Sequence, residues 1–168
     1  MIETDKLILK PLTHSQLVKY IQCDHSLEQE LNLNETKRSL SPDLKEALEQ
    51  TILPNVADPD KNYLYSTLWT AISKTEQKMV GDLCLYGEPD AAGAVEIGYG
   101  THEEFRNKGL MTEALGGLIG WAALQPTVKT ILASTNKANT ASWKVLEKNG
   151  FIRTGEKENL LTWKLDLK

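Results

Sequence analysis

Apolar and polar residues alternate along this chain with two periods, one of strands and one of helices, and the two take turns. Lys6 to Lys10 alternates as a strand that Pro11 ends. Thr13 followed by Gln16 is a capping box, opening a short helix with Leu17, Val18 and Ile21 on its apolar face. Between Cys23 and Ser39 the pattern is weak, and Leu27, Leu31 and Leu33 mark a second short helix. Ser41-Pro42-Asp43 is a helix start, with a capping serine, proline in the first turn and an acid beside it. Leu44, Ala47, Leu48 and Ile52 give that helix one face, and Pro54 is expected to stop it before a polar loop from Asn55 to Asn62.

Three strands then form an antiparallel meander, at residues 63–73, 78–86 and 94–101, joined by the turns 74–77 and 87–93. Met111, Ala114, Leu115, Leu118 and Ala122 make a helical stripe that faces the sheet. Gly116, Gly117 and Gly120 weaken a helix interior, so close packing against a neighbour is their expected reason. A short strand (130–135), a helix (138–149) capped by Asn149-Gly150, and a closing hairpin (151–156 with 160–167) complete the chain. The order β-α-α-β-β-β-α-β-α-β-β predicts an α+β fold.

Composition changes this picture little. The 168 residues are 40% hydrophobic and 25% charged, which fits one soluble domain spanning 1–168. No apolar run approaches the roughly 18 residues of a membrane span, and Met1 to Asp5 carries no signal-peptide pattern, so no membrane partner and a cytoplasmic location are expected. Cys23 and Cys84 have no metal-spaced neighbours and are expected to be core thiols; no metal is predicted. A net charge of −4 weighs against a nucleic-acid partner and suits a cationic or amine-bearing one. His14, His25 and His102 are scattered and are read as surface or packing residues.

Candidate chemistry concentrates in two stretches. The first is Arg106-Asn107-Lys108-Gly109-Leu110-Met111, between a strand and a helix start. Unpaired N–H groups and the helix dipole favour an anion there, Gly109 allows a close backbone approach, and Arg106 and Lys108 add cationic donors. By itself the stretch reads equally as a basic turn. In the second, Asn136 to Phe151, Asn139 and Ser142 border the apolar face of a helix, where Asn136 and Asn139 also read as capping groups. Phosphate-loop, dinucleotide-fold and nucleophile-elbow motifs are absent.

Together the two stretches resemble the GNAT superfamily of acetyl-CoA-dependent N-acetyltransferases. Its pyrophosphate motif, Gln/Arg-x-x-Gly-x-Gly/Ala, corresponds to Arg106-x-x-Gly109-x-Met111. Its later helix, Asn-x-x-Ala-x-x-Leu-Tyr-x-Lys-x-Gly-Phe, is matched at Asn139, Val145, Lys148, Gly150 and Phe151. Asn139-x-x-Ser142, Met111-Thr112-Glu113-Ala114 and Thr4-x-Lys6-Leu7-x-Leu9-Lys10-x-Leu12 are similar to the branch containing the ribosomal-protein N-terminal acetyltransferases.

The resemblance implies a mixed, mostly antiparallel sheet of about six to seven strands, splayed at the cofactor site and flanked by about four helices. It implies acetyl-CoA as co-substrate, its pyrophosphate held by Arg106 and the N–H groups from Asn107 through Lys108, Gly109 and Leu110 to Met111. The strand edge at Tyr99, Gly100 and Thr101 would pair with the pantetheine arm, with Asn136 and Asn139 nearby. The implied reaction is direct attack by a primary amine of a small molecule or peptide N-terminus, with Glu96 as base, directly or through water, and Ser142 as proton donor to the thiolate or as a cofactor contact. Ser142 enters because Leu146 stands where many relatives place a tyrosine. A homodimer is compatible with the resemblance. The closing strands lack the longer acidic, Gly-Asp-containing hairpin of ribosomal-protein acetyltransferases, which weighs against a protein N-terminus. The competing expectation is a non-catalytic module that binds or senses acetyl-CoA.

Overall fold

A computed structural model of the chain describes residues 1–167; Lys168, the last residue of the expected 1–168 domain, lies outside them. The strands are β1 (Ile2–Glu3), β2 (Leu7–Pro11), β3 (Leu68–Ser73), β4 (Lys78–Leu85), β5 (Ala94–Thr101), β6 (Thr130–Asn136), β7 (Ile152–Lys157) and β8 (Leu160–Asp166). They form one sheet in the order β1-β2-β3-β4-β5-β6-β8-β7. Only β5 and β6 run parallel; the other neighbours are antiparallel. The sheet is therefore mixed and mostly antiparallel as expected, with eight strands among the described residues instead of six to seven. The additional strand is β1, which at two residues is too short to show an alternating pattern.

The described helices number six where about four were expected: α1 (His14–Gln22), α2 (Ser26–Leu31), α3 (Pro42–Ala47), α4 (Leu53–Ala57), α5 (Leu110–Ala123) and α6 (Thr140–Lys148). The capping box of α1 forms in both directions, Gln16 N donating to Thr13 Oγ1 at 3.3 Å and Thr13 N to Gln16 Oε1 at 3.0 Å. Val18, expected on the apolar face, is exposed, and Tyr20 takes the buried position. Ser41 caps α3 as expected. Pro54, however, does not stop this helix. A π-helical turn at Leu48–Ile52 joins α3 to α4, and the wider turn makes room for the pyrrolidine ring, which also lacks the N–H an ordinary turn would use. The meander's first strand likewise starts later than expected, because Tyr63–Tyr65 forms a 3₁₀ turn capped by the Asn62 side chain.

The sheet separates two apolar layers. On one face Leu7, Leu9, Leu83, Val95 and Ile97 pack with the expected α5 stripe of Met111, Ala114, Leu115, Leu118 and Ala122. On the other, Leu12, Leu68, Ile72 and Met79 meet Leu17, Tyr20 and Leu27 of α1 and α2, and Leu48 and Ile52 of the π turn. Gly117 of α5 is explained by close packing: a Cβ there would lie 2.8 Å from Thr4 Cγ2 and 3.2 Å from Leu9 Cδ1. Gly116 faces the Asn149 side chain, whereas nothing lies near Gly120 and the packing expectation fails for it. Glu113 fixes the chain's start onto α5, accepting from Thr4 Oγ1 at 2.6 Å and from Lys6 N at 2.7 Å. Gly150, at φ +87°, closes α6, with Phe151 N donating back to Leu146 O at 3.0 Å.

Candidate active site

Parallel pairing of β5 with β6 runs from Ala94↔Thr130 to Ile97↔Ala133 and stops. Beyond it β5 stays with β4 as far as Thr101↔Gly81, while β6 stays with β8 as far as Asn136↔Leu160. The two strands thus diverge, leaving the Gly98–Thr101 edge of β5 with no partner strand on that side. Side chains alternate across a strand, so Tyr99 points to the α5–α6 face while Glu96, Gly98 and Gly100 lie toward the face of α1 to α4. Three cavities meet around this wedge.

The first, about 670 Å³, lies on the α5–α6 face and is lined by Tyr99, Gly100, Thr101, the loop 106–111 and one side of α6. Gly109 sits at φ +74° and Asn107 at φ +62°, a left-handed pair of bends that turns the loop into α5. A Cβ at Gly109 would meet nothing within 4 Å, so the bend opens onto free space. The N–H groups of Asn107, Lys108, Gly109, Leu110 and Met111 have no acceptor among the described residues. Arg106 is steadied by its Nε, which donates to Thr101 O at 3.3 Å, and the Lys108 ammonium lies over the Phe105 ring. Lys144 and Lys148, one turn apart on α6, add two further cations to the same wall, and among the described residues no carboxylate lines it. In a chain of net charge −4, that is a strongly cationic hollow.

The second cavity, about 460 Å³, lies in the wedge itself and brings together Glu96, Tyr86, Tyr99, Ser134, Asn136, Asn139 and Ser142. Both expected catalytic residues, Glu96 and Ser142, therefore face one space. The Tyr99 phenol donates to Ser142 O at 3.0 Å, bridging β5 to α6, and burial pushes its pKa up to about 12. Asn139 Oδ1 accepts from Ser142 N at 3.2 Å and Asn136 Oδ1 from Ala138 N at 2.9 Å, so both asparagines act as caps while lining the cavity. Leu146 is fully buried in the core, and α6 presents no tyrosine there.

The third cavity, about 1010 Å³, opens on the α1–α4 side and continues from the wedge at Tyr86, Gly98 and Tyr99 past Asp82 and His102 to Arg106. Tyr86 folds over Gly98 so closely that a Cβ there would overlap its phenol oxygen. Cys84 packs against the core layer on the α1–α4 side, as a core thiol was expected to, with one side in this cavity, and burial raises its thiol to about 11, so it is not a thiolate at neutral pH. Cys23 is half-exposed at the left-handed end of α1.

Sequence reasoning missed four residues of these walls. Lys144 and Lys148 carried a signal, being four apart on the stripe that also holds Ala141 and Val145. Asp82 showed as a carboxylate inside an apolar strand, but His102 gave no sign of pairing with it. His102 is packed within the cavity wall and is not a surface residue.

Known proteins share this architecture and sequence. The family model of the acetyltransferase (GNAT) domain matches residues 6–152. The chain belongs to the GNAT acetyltransferase family. It is 30% identical over 166 residues to the uncharacterized N-acetyltransferase YjdG of Bacillus subtilis, covering 97% of this chain and 96% of that one. Its fold is similar to that of a ribosomal-protein-S5-alanine acetyltransferase from Vibrio fischeri, with TM-score 0.68 and 22% identity over 98% of this chain and 94% of the other. It is also similar to RimL, a ribosomal L7/L12 alpha-N-protein acetyltransferase solved in complex with coenzyme A, with TM-score 0.67 and 18% identity over 97% and 95%. As a GNAT enzyme the chain is an acetyl-CoA-dependent N-acetyltransferase. Among the described residues no cluster of His, Cys, Asp and Glu is placed to hold a metal ion, and no helix is long and apolar enough to cross a membrane.

Proposed function

We propose that this GNAT domain, spanning 1–168, acetylates a primary amine by direct attack, with a small molecule favoured over a peptide N-terminus as acceptor. The observation that carries the cofactor assignment is the acid-free cavity over the start of α5, where unpaired N–H groups and four cations converge. Diphosphate oxygens fit the N–H groups of the 107–111 loop, with Arg106 and Lys108 at its edge. Lys144 and Lys148 suit a further phosphate. The pantetheine arm, extended and rich in amides, suits the unpaired edge at Tyr99, Gly100 and Thr101, with Asn136 and Asn139 beside it. Bound there, acetyl-CoA supplies an activated thioester.

The amine enters from the α1–α4 side, through the third cavity, whose volume matches a small ligand. Its neutral nitrogen bonds to the acetyl carbonyl carbon, and the carbon–sulfur bond breaks as the tetrahedral adduct collapses and expels the thiolate. Glu96, in the wedge, takes the ammonium proton directly or through water, and the Ser142 hydroxyl returns a proton to the departing thiolate. Edge amides of β5 are the donors available to the tetrahedral oxyanion.

The test is release of CoA thiol from acetyl-CoA on a panel of small amines and N-terminal peptides. Turnover with a small amine at least tenfold above the best peptide is expected. Peptides acting better than every small amine would reverse the acceptor assignment, and acetyl-CoA binding with no acceptor-dependent thiol release would support the binding module instead.

A further inference from the structure

The wall of the third cavity holds a buried carboxylate that makes no direct ion pair with Arg or Lys among the described residues. Asp82 of β4 is 9% exposed. Its Oδ2 accepts a hydrogen bond from the Tyr20 phenol, whereas Oδ1 has no hydrogen-bond partner. Thr70, opposite it on β3, has an unpartnered hydroxyl that lies near enough to favour the charged carboxyl. His102 Nε2 stands 3.7 Å from Oδ2, beyond hydrogen-bond range, and is also unpartnered. Burial lowers the His102 pKa below its ordinary value, so the imidazole is neutral at pH 7 and brings no positive charge.

The Arg38 guanidinium, which acts on Asp82, is largely committed elsewhere. Arg38 lies over the Tyr20 ring at 4.4 Å, but its Nη2 pairs with Glu28 Oε1 at 3.2 Å, and both of those side chains are buried. His25 adds a second contact to Glu28 at 2.7 Å. Glu103 and Glu104 on the rim add negative charge, while Lys37 and Arg106 stand on the rim as cations. Asp82 thus has one neutral donor, the Tyr20 phenol, on Oδ2 and no hydrogen-bond partner on the enclosed Oδ1. Burial accordingly raises its pKa, the mark of a carboxylate held where its charge is poorly solvated.

We propose that Asp82 is a recognition subsite for a second cationic group of the acceptor, so that the substrate class is a diamine or polyamine, one amine reacting and the other held at Asp82. The proposal rests on the acetyltransferase reading of the adjoining wedge. Asp82 lies opposite Gly100, and the wedge opens at Gly98, opposite Cys84. Two strand residues separate these points, about 7 Å. An alkyl spacer of four or five carbons places two nitrogens at that separation. Asp82 touches the far end of the acceptor and takes no proton from the reacting amine.

Alkane diamines of three to six carbons are compared with the monoamines of equal length, on the full chain and on Asp82→Asn, by thiol release and by calorimetric binding in the presence of CoA. The wild-type chain is expected to prefer the diamine at least tenfold in kcat/KM, through KM, with an optimum at four or five carbons. In Asp82→Asn that ratio is expected to fall to near unity. Equal use of diamine and monoamine by the wild-type chain, or an unchanged ratio in the variant, would overturn the proposal while leaving the acetyltransferase reading intact. If no amine releases thiol, that reading fails, and the calorimetry decides the subsite alone: diamine binding equal in both proteins overturns it. Should the variant not fold, the matched ligands on the wild-type chain suffice.

Discussion

The Tyr99 phenol donates to the backbone carbonyl of Ser142, and this bond spans the wedge that opens where β5 and β6 stop pairing. A side chain of β5 thereby sets the distance to the first turn of α6, the turn that carries Ser142 and is capped by Asn139. Tyr99→Phe removes the donor while keeping the ring. It is expected to lower stability by about 1 kcal/mol, the usual net worth of one such bond, and to raise the KM for acetyl-CoA severalfold because α6 is freed to shift. Thermal unfolding and steady-state kinetics measure the two effects; an unchanged KM would show that the bond does not hold the cofactor wall in place.

Gly109 combines a left-handed backbone with empty space where a side chain would go. Gly109→Ala carries only the backbone penalty, on the order of 1 kcal/mol, and should weaken acetyl-CoA binding modestly. Gly109→Trp carries the same penalty and also fills the cavity, so a loss of at least a hundredfold in affinity is expected with a similar melting temperature. Equal affinities for the two variants would remove this loop from the site.

Lys144 and Lys148 offer a separate test of what the cationic cavity holds. Each is exposed and makes no ion pair among the described residues. Replacement of either by Ala should weaken acetyl-CoA binding by up to about 1 kcal/mol, and salt should narrow the gap from wild type. An acetylated pantetheine lacking the nucleotide phosphates should bind the variants and the wild-type chain alike. If it loses the same affinity as acetyl-CoA, the lysines support the fold and not the phosphates.

How much of this was legible in the sequence follows from the range of the interactions involved. The α5 stripe, the Thr13 and Ser41 caps and the Gly150 terminus are set by residues three or four apart, and they appear where periodicity put them. The loop proposed here for the pyrophosphate stood out as a motif for the same reason, since Arg106 and Gly109 share one turn of chain. The sheet order and the wedge are not local: β6 lies between β5 and β8, which no short-range pattern records; the family resemblance supplied the splayed strands and not the order. The Pro54 error came from treating the ring as incompatible with a helix without allowing for the π turn before it. Asp82, Tyr20 and His102 were missed because they meet across three separate elements.

Glu96 and Ser142 line one cavity, yet neither makes a side-chain hydrogen bond among the described residues that would give it a structural duty. Glu96→Gln and Ser142→Ala should therefore leave the folding stability within about 0.5 kcal/mol of wild type, as surface substitutions do. Turnover is expected to fall at least tenfold in each, with acetyl-CoA affinity changed less than threefold, in keeping with the usual value of proton transfer. Turnover at the wild-type level in both would leave the proton steps to solvent.

Protonation of His102, half-buried in the cavity wall, gives the fold a pH dependence of known sign. Its folded pKa is lowered from the ordinary 6.5 mainly by burial, so the unfolded chain binds the proton more readily. The neutral form's stability is fully present above about 6.5 and is lost as pH falls from there toward the folded value. Asp82 opposes this: its pKa is raised, so its contribution is present at low pH and is lost as pH rises through the folded value. His102→Asn should flatten the decline below pH 6.5. Asp82→Asn should raise stability at pH 7 by about 1 kcal/mol, since an amide still accepts from Tyr20 and can donate toward Thr70 without carrying a buried charge. Melting temperatures from pH 5 to 8 test both; a variant at Asp82 less stable than wild type at pH 7 would mean that the carboxylate is held in place for the fold and not kept, against stability, for a ligand.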